Sequence, residues 1–200
     1  MISRRTFLKS SLFFSSTLIP INSSRAAKNA HVVIVGAGWG GLSAAKTLRN
    51  LNKSVKITII EKEKNFKSCP ISNWVIGQIK DMQDITFSYD LFIKNNDINF
   101  ITDSVSNIDT TKQSITLKDT NIKYDKLIVS PGVKLEYEKI IGLTDALDSN
   151  SVYTAWKAGE ETRLFSNQVK NIEDNNKVII TIPLSPYRCP PGPYERASLI

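Results

Sequence analysis

The stretch HVVIVGAGWGGLSAAKTLRNL, His31 to Leu51, decides the fold. It opens on a continuous β-branched run, Val32 to Val35, which reads as a buried strand. The run turns through Gly36-Ala37-Gly38-Trp39-Gly40-Gly41, after which Leu42, Ala45 and Leu48 recur at helical spacing. SVKITIIE, Ser54 to Glu61, supplies a second buried strand, so strand, helix and strand close within about thirty residues as one βαβ unit. Gly-Xaa-Gly-Xaa-Xaa-Gly is a weak pattern alone, but between a strand and a helix it has a mechanism. Gly36 allows the tight turn, Gly38 lets the backbone approach a pyrophosphate, and Gly41 lets helix and strand pack closely. Gly40 completes the turn, Trp39 is expected to cover it, and the helix start offers unpaired N–H groups to phosphates. Glu61 lies twenty residues after Gly41, where a carboxylate accepts hydrogen bonds from ribose hydroxyls, so an adenosine dinucleotide is the expected ligand.

Downstream, KSCPISNWVIGQ is a loop running into a short apolar helix over Ser72 to Gln78. TFSYDLFIKNNDINFITD reads as a helix and then a strand, broken near Asn95. From Ser104 to Gly132, SVSNIDTTKQSITLKDTNIKYDKLIVSPG alternates in three short runs with turns at DTTKQ and KDTN. This predicts an antiparallel meander returning to a buried strand, Lys126 to Val129. A loop follows, then a helix within AWKAGEETRLFSNQVKNI, then another buried strand in KVIITIP, Lys177 to Pro183. An NAD domain of the dehydrogenase type continues with further βα repeats; the meander instead points to FAD.

The +7 net charge does not indicate nucleic acid. Arg4, Arg5, Lys9 and Arg25 stand without an acid in residues 1–26, and only +3 remains for the rest, with lysines scattered among acids and no basic stripe. SRRTFLK followed by the short apolar run SLFFSSTLIPI and SSRAA has the order of an export signal, and its paired arginines resemble a twin-arginine signal. The run is too short for a membrane anchor, and no other segment is long and apolar enough. Residues 1–27 are therefore expected to be a signal peptide, 28–145 the FAD-binding domain and 146–200 the start of a second domain. One histidine, His31, supports neither a Ser-His-Asp set nor a metal cluster, and it reads as a strand-end residue.

Tyr124, Asp125, Leu127, Pro131 and Gly132 resemble the Tyr-Asp-Xaa-Leu segment and small-residue loop of the two-dinucleotide-binding flavoproteins, the glutathione-reductase-like superfamily, with Ser130 where alanine is commoner. The resemblance implies an α/β chain: a Rossmann-like FAD-binding domain of the ββα type with an antiparallel meander, plus the start of a second dinucleotide-binding-like domain. It places Pro131 and Gly132 near the flavin and the Val105 backbone at the adenine. Cys69 before ISNWVIG, together with CPPGPYERAS from Cys189, resembles the flavoprotein subunit of flavocytochrome c sulfide dehydrogenase from about Ala30 onward.

That family resemblance implies a covalent thioether from Cys69 to the flavin 8α-methyl carbon. It assigns Cys189 to one half of a redox disulfide whose other cysteine is not in this sequence. Hydrosulfide would attack that disulfide, leaving a persulfide, and two electrons would pass by way of the flavin to a c-type haem. No Cys-Xaa-Xaa-Cys-His occurs here, so the haem is assigned to a cytochrome partner subunit. Pro190, Pro191 and Pro193 stiffen the backbone beside Cys189, and Pro193 suits the first helical position, so a helix is expected from Tyr194. A sulfur near a helix start with Arg188 adjacent suits a thiolate. A structural Cys69–Cys189 disulfide is the exclusive alternative and would leave neither sulfur for chemistry. The rival functions are a sulfide:quinone oxidoreductase, an NAD(P)H-dependent flavoprotein reductase, and an inactive FAD-binding fragment. The superfamily is normally about twice this length, so the sequence is expected to be an N-terminal portion that folds poorly by itself.

Overall fold

The computed structural model describes residues 29–182, 187 and 189–200. The expected export signal, Pro183 and Arg188 lie outside the described residues. Strand β1 (His31–Val35) leads through the glycine turn into helix α1 (Trp39–Leu51) and strand β2 (Lys56–Glu61). β1 and β2 pair in parallel, with Val33 opposite Thr58 and Ile34 opposite Ile59. Successive β1 residues serve opposite faces: Val32 and Ile34 join one core cluster, Val33 the other. That is why the run needs no polar alternation, and each fully buried residue of this kind contributes about 1.5–3 kcal/mol.

A short antiparallel pair, β3 (Asn65–Lys67) and β4 (Thr86–Ser88), brackets helix α2 (Ser72–Ile76). Helix α3 (Asp90–Asn96) follows, then β5 (Asn99–Thr102), which pairs in parallel with β2. The chain leaves α3 through Asp97 in the left-handed region, the break expected from the Asn/Asp cluster. Buried Arg49 of α1 donates to the carbonyls of Asn96, Asp97 and Lys53, at 2.7 to 2.8 Å, satisfying acceptors that the helix end leaves open.

The expected meander is present as β6 (Asn107–Asp109), β7 (Ser114–Thr116) and β8 (Asn121–Lys123). Fully buried Ile115 of β7 packs with Val33 and Ile60, so the meander covers one face of the sheet while α1 and α3 cover the other. Strand β9 (Lys126–Val129) then pairs in parallel with β1, completing a four-stranded sheet in the order β5-β2-β1-β9.

Three expectations need correction. β9 is not buried: it forms an edge, and Val129 is 57% exposed. KVIITIP does not form a strand over its described residues. Val178, Ile179 and Ile182 are exposed, and no described strand lies alongside to pair the backbone, so hydrophobic composition alone does not make a strand there. Helix α4 (Leu143–Asp148) stands where a loop was expected; six residues are too few to show a helical period. Helix α5 (Glu160–Lys170) is as expected, and α6 (Gly192–Leu199) begins two residues before Tyr194.

His31 links three strands at the amino ends of the sheet. Its N–H donates to Asp125 at 2.6 Å, and its Nε2 lies 2.8 Å from the Thr58 hydroxyl, which also accepts from Asn99. Burial first, and then the Lys56 charge, hold its imidazole below the usual 6.5. The unfolded chain therefore takes up the proton first, and the stability that neutral His31 contributes is lost as pH falls below about 6.5. Urea unfolding at pH 7.5 and pH 5.0 should show a smaller loss between the two pH values in His31→Gln than in the parent.

Candidate functional site

The carboxyl ends of the four parallel strands bring the dinucleotide candidates to one edge. β1 leads to Gly36, β2 ends at Glu61, β5 leads to Val105, and β9 leads to Ser130, Pro131 and Gly132. Gly36 has φ +96°, and a Cβ there would stand 2.1 Å from the Ser130 carbonyl oxygen. A Cβ on Gly41 would stand 1.9 Å from the Gly36 oxygen, and one on Gly40 2.6 Å from the Ser130 hydroxyl. Gly38 differs, because its Cβ would meet nothing within 4 Å. Its lack of a side chain answers to no neighbour in the protein and leaves open space at the helix start. Helix α1 has no side-chain cap and no acid in its first turn, so its N–H groups remain available to an anion.

Glu61 is held in place by the loop itself. One carboxylate oxygen accepts the Ala37 N–H at 2.8 Å and the other accepts the Glu63 N–H at 3.0 Å. The Glu61 carbonyl accepts the Asp103 N–H, which draws the segment bearing Val105 alongside. Tyr89 is buried under the turn against the core; burial, then Glu61 and Glu63, push its phenol up to about 12, so it stays protonated. Trp39 is 59% exposed and meets Phe66 edge-on, with ring centroids 5.2 Å apart. Open space at Gly38, an uncapped helix start and an anchored carboxylate fit the adenosine and pyrophosphate portion of FAD.

The cysteines occupy a second cluster, tied to the turn by the Trp39–Phe66 contact three residues before Cys69. Both thiols are free and exposed, which corrects the structural-disulfide alternative. Each stands three residues before a helix, and in each case the helix's first N–H bonds back to the cysteine carbonyl: Ser72 to Cys69 at 3.0 Å and Gly192 to Cys189 at 2.9 Å. Trp156 lies near both, through its carbonyl at Cys69 and through Gly192 at the Cys189 turn. The Cys69 thiol donates to the Trp156 carbonyl at 2.9 Å. The Trp156 ring lies 3.0 Å from where a Gly192 Cβ would be, and the Cys189 sulfur 3.3 Å from that same point. Cys189 itself is left-handed, φ +53°.

Sequence reasoning missed the polar residues that hold this cluster. Buried Arg196 of α6 stacks on Trp156 at 4.5 Å and bonds to Thr154, Ala155 and Asn73, while Asn73 of α2 also donates to Glu195. Asn73 and Arg196 sit inside the stretches that carried the resemblance, but a polar residue in a short helix gives no sign of burial. A concavity of about 400 Å³ bordered by Lys67, Met82, Gly159, Glu160 and Arg163 contains none of the expected site residues. Among the described residues there is no group of three or more His, Cys, Asp or Glu side chains that could hold a metal.

Residues 30–180 match the sequence pattern of the family described as Pyridine nucleotide-disulphide oxidoreductase. The chain belongs to that family. Residues 162–200 further match the pattern described as Sulfide dehydrogenase [flavocytochrome c] flavoprotein chain, central. The sulfide dehydrogenase [flavocytochrome c] flavoprotein chain of Chlorobaculum thiosulfatiphilum is 50% identical over 44 residues, covering 22% of this chain and 92% of that one. The resemblance to that flavoprotein drawn from the sequence is borne out. The mitochondrial sulfide:quinone oxidoreductase of Dictyostelium discoideum is 29% identical over 82% of this chain and 36% of its own. The crystal structure of the sulfide:quinone oxidoreductase from Aquifex aeolicus superposes with a TM-score of 0.60 at 26% identity, over 70% of this chain and 32% of that one. The chain thus spans about a third of the length of the last two relatives. As a member of this oxidoreductase family it is a flavoprotein of the FAD type.

The glycines give a sharp contrast for mutation. Gly36→Ala combines a close backbone clash with a left-handed residue that costs about 1–2 kcal/mol on its own, so it should yield little folded protein. Gly38→Ala should melt within a few degrees of the parent yet bind FAD at least about tenfold more weakly, because the added methyl enters space that no protein atom uses. Thermal melting and fluorescence titration with FAD check the two outcomes separately.

Proposed function

We propose that this chain is the FAD-binding portion of a sulfide-oxidising flavoprotein that delivers electrons to a c-type cytochrome subunit. Its twin-arginine pattern assigns it to the periplasm, exported already folded. The observation that carries the reading is the pair of exposed thiols near one residue, Trp156, whose carbonyl accepts from the Cys69 thiol and whose ring backs Gly192 in the turn that bears Cys189. The match of residues 162–200 to the sulfide dehydrogenase pattern supports it.

In this reading Gly36, Gly38, Trp39, Gly40 and Gly41 receive the pyrophosphate, Glu61 the ribose, the Val105 backbone the adenine, and Pro131 and Gly132 border the flavin. FAD, when bound, supplies a two-electron acceptor that can release electrons singly. Cys69 holds the cofactor by a thioether, which keeps it in a compartment where lost flavin is not replaced. Cys189 is one sulfur of a disulfide with a cysteine outside this sequence, and hydrosulfide is the nucleophile that opens it. The turn Cys189–Gly192 fixes the sulfur at the start of α6 through the 2.9 Å Gly192–Cys189 bond.

A quinone as acceptor is the second reading, favoured by the similarity to the sulfide:quinone oxidoreductases. Among the described residues no helix is long and apolar enough to cross a membrane.

Acid denaturation of the protein expressed from its full open reading frame tests the assignment. Flavin should stay with the polypeptide and be lost in Cys69→Ser; flavin released from the unmodified protein would remove the covalent role. Cys189→Ser should keep its flavin but lose sulfide-driven bleaching of the flavin absorbance by a factor of at least about a hundred. Reoxidation by a soluble c-type cytochrome but not by a short-chain quinone separates the two acceptors.

A further inference from the structure

Arg196 is the most heavily committed buried charge of the second cluster. It is 6% exposed, and three of its nitrogens are engaged. Nη1 donates to the Thr154 carbonyl at 2.6 Å, Nη2 to the Ala155 carbonyl at 3.1 Å, and Nε and Nη2 to Asn73 Oδ1 at 3.2 and 3.1 Å. Every one of these acceptors is neutral, and no carboxylate lies within ion-pair distance of it among the described residues. A buried cation without a contacting anion is costly, and packing alone does not call for one. Its bonds, however, converge on a single place. Thr154 and Ala155 immediately precede Trp156, whose carbonyl takes the Cys69 thiol and whose ring carries the guanidinium on its face. Asn73 lies in α2, just beyond Cys69, and Arg196 itself lies in α6, just beyond Cys189.

We propose that Arg196 is a positioning residue for both thiols: its planar fork locks the 154–156 segment onto Asn73 of α2, so that the Trp156 carbonyl meets Cys69 while the Trp156 ring backs the turn that bears Cys189. Three further details fit. Ala155 is fully buried in a left-handed conformation, φ +44°, which needs an external hold, and Arg196 bonds its carbonyl. Glu161 receives both the N–H and the hydroxyl of Thr154, fixing the same segment from α5. Gly77 and Gly192 allow the close approach: a Cβ on Gly77 would stand 2.9 Å from Leu199 Cβ. A lysine could keep the charge but supplies one point in place of a planar fork.

The inference rests on the proposed roles of the two cysteines, and its test keeps the two apart. The full-length holoprotein is compared with Arg196→Met and Arg196→Lys by thermal melting, by the rate at which iodoacetamide alkylates Cys189 after reduction, and by the fraction of flavin that resists acid denaturation. If the parent retains no flavin in acid, the covalent role of Cys69 has failed by itself, and alkylation of Cys69 replaces that readout. The expected result is a variant that still melts cooperatively but shows a Cys189 alkylation rate changed at least about fivefold and Cys69 attachment, or alkylation, changed by a similar factor, with Lys no better than Met. A folded Arg196→Met with both thiols behaving as in the parent overturns the proposal, as does full restoration by lysine, which would make the charge alone sufficient. Failure of both variants to fold also overturns it, since the role would then be in folding.

Discussion

Three pieces of backbone meet at Gly36 with no room for a Cβ on Gly36 or Gly41. The Ser130 carbonyl comes in from β9, the Gly36 carbonyl presses on Gly41 of α1, and the Gly36 N–H bonds the Ile60 carbonyl of β2 at 2.8 Å. This contact sets how closely α1 packs on the sheet and where β9 must end. It also fixes the direction of the first N–H groups of α1. Glu61 then completes the edge by bonding Ala37, so that a charged group is held by a backbone amide at the strand end, an interaction of about 1.5–3 kcal/mol. The remaining candidates reach this edge because parallel strands deliver all their carboxyl ends to the same side.

The first half of the fold was legible because local rules and tertiary packing agree there. The β-branched run, the glycines at fixed offsets and the twenty-residue spacing to Glu61 all act through the backbone of one βαβ unit, and the structure returns each of them. The meander was equally legible, since alternation and turn residues are short-range signals. KVIITIP shows where that kind of reading ends. Its composition favours a strand, but a strand also requires a partner for its hydrogen bonds, and none of the described strands lies beside it. A one-dimensional pattern reports what a segment prefers; whether a neighbour exists depends on the rest of the fold.

The cysteine cluster was half legible for a related reason. Cys69, Cys189 and the prolines stand out as residue types, and the stretch around them carries the family resemblance. The groups that tie the stretches together are an asparagine, an arginine and two backbone carbonyls, which stand out in no composition. Asn73 and Arg196 lie 123 residues apart and bond at 3.1 to 3.2 Å, a pairing that only the packing of α2 on α6 reveals. Trp156 gives no functional signal in the sequence, yet its carbonyl accepts from the Cys69 thiol and its ring packs on Gly192 in the turn that bears Cys189.

Backbone strain points to the same place by a separate route. Among the described residues, eight that are not glycine have positive φ; six of them carry an amide or carboxylate side chain, and the other two are Ala155 and Cys189. A short polar side chain can bond locally and ease such a conformation, whereas alanine and cysteine have little to offer, at about 1–2 kcal/mol each. Both are instead restrained from outside, Ala155 by the Arg196 fork and Cys189 by the Gly192 amide. Strain of this kind persists only where surrounding contacts over-determine the chain, and those contacts concentrate where a geometry is being held for use. Of the two residues that cannot ease their own conformation, Ala155 precedes Trp156 in the chain, and Cys189 opens the turn whose Gly192 packs on the Trp156 ring. The cluster is thus marked by its thiols, its buried charge and its backbone, three features set by different physical terms.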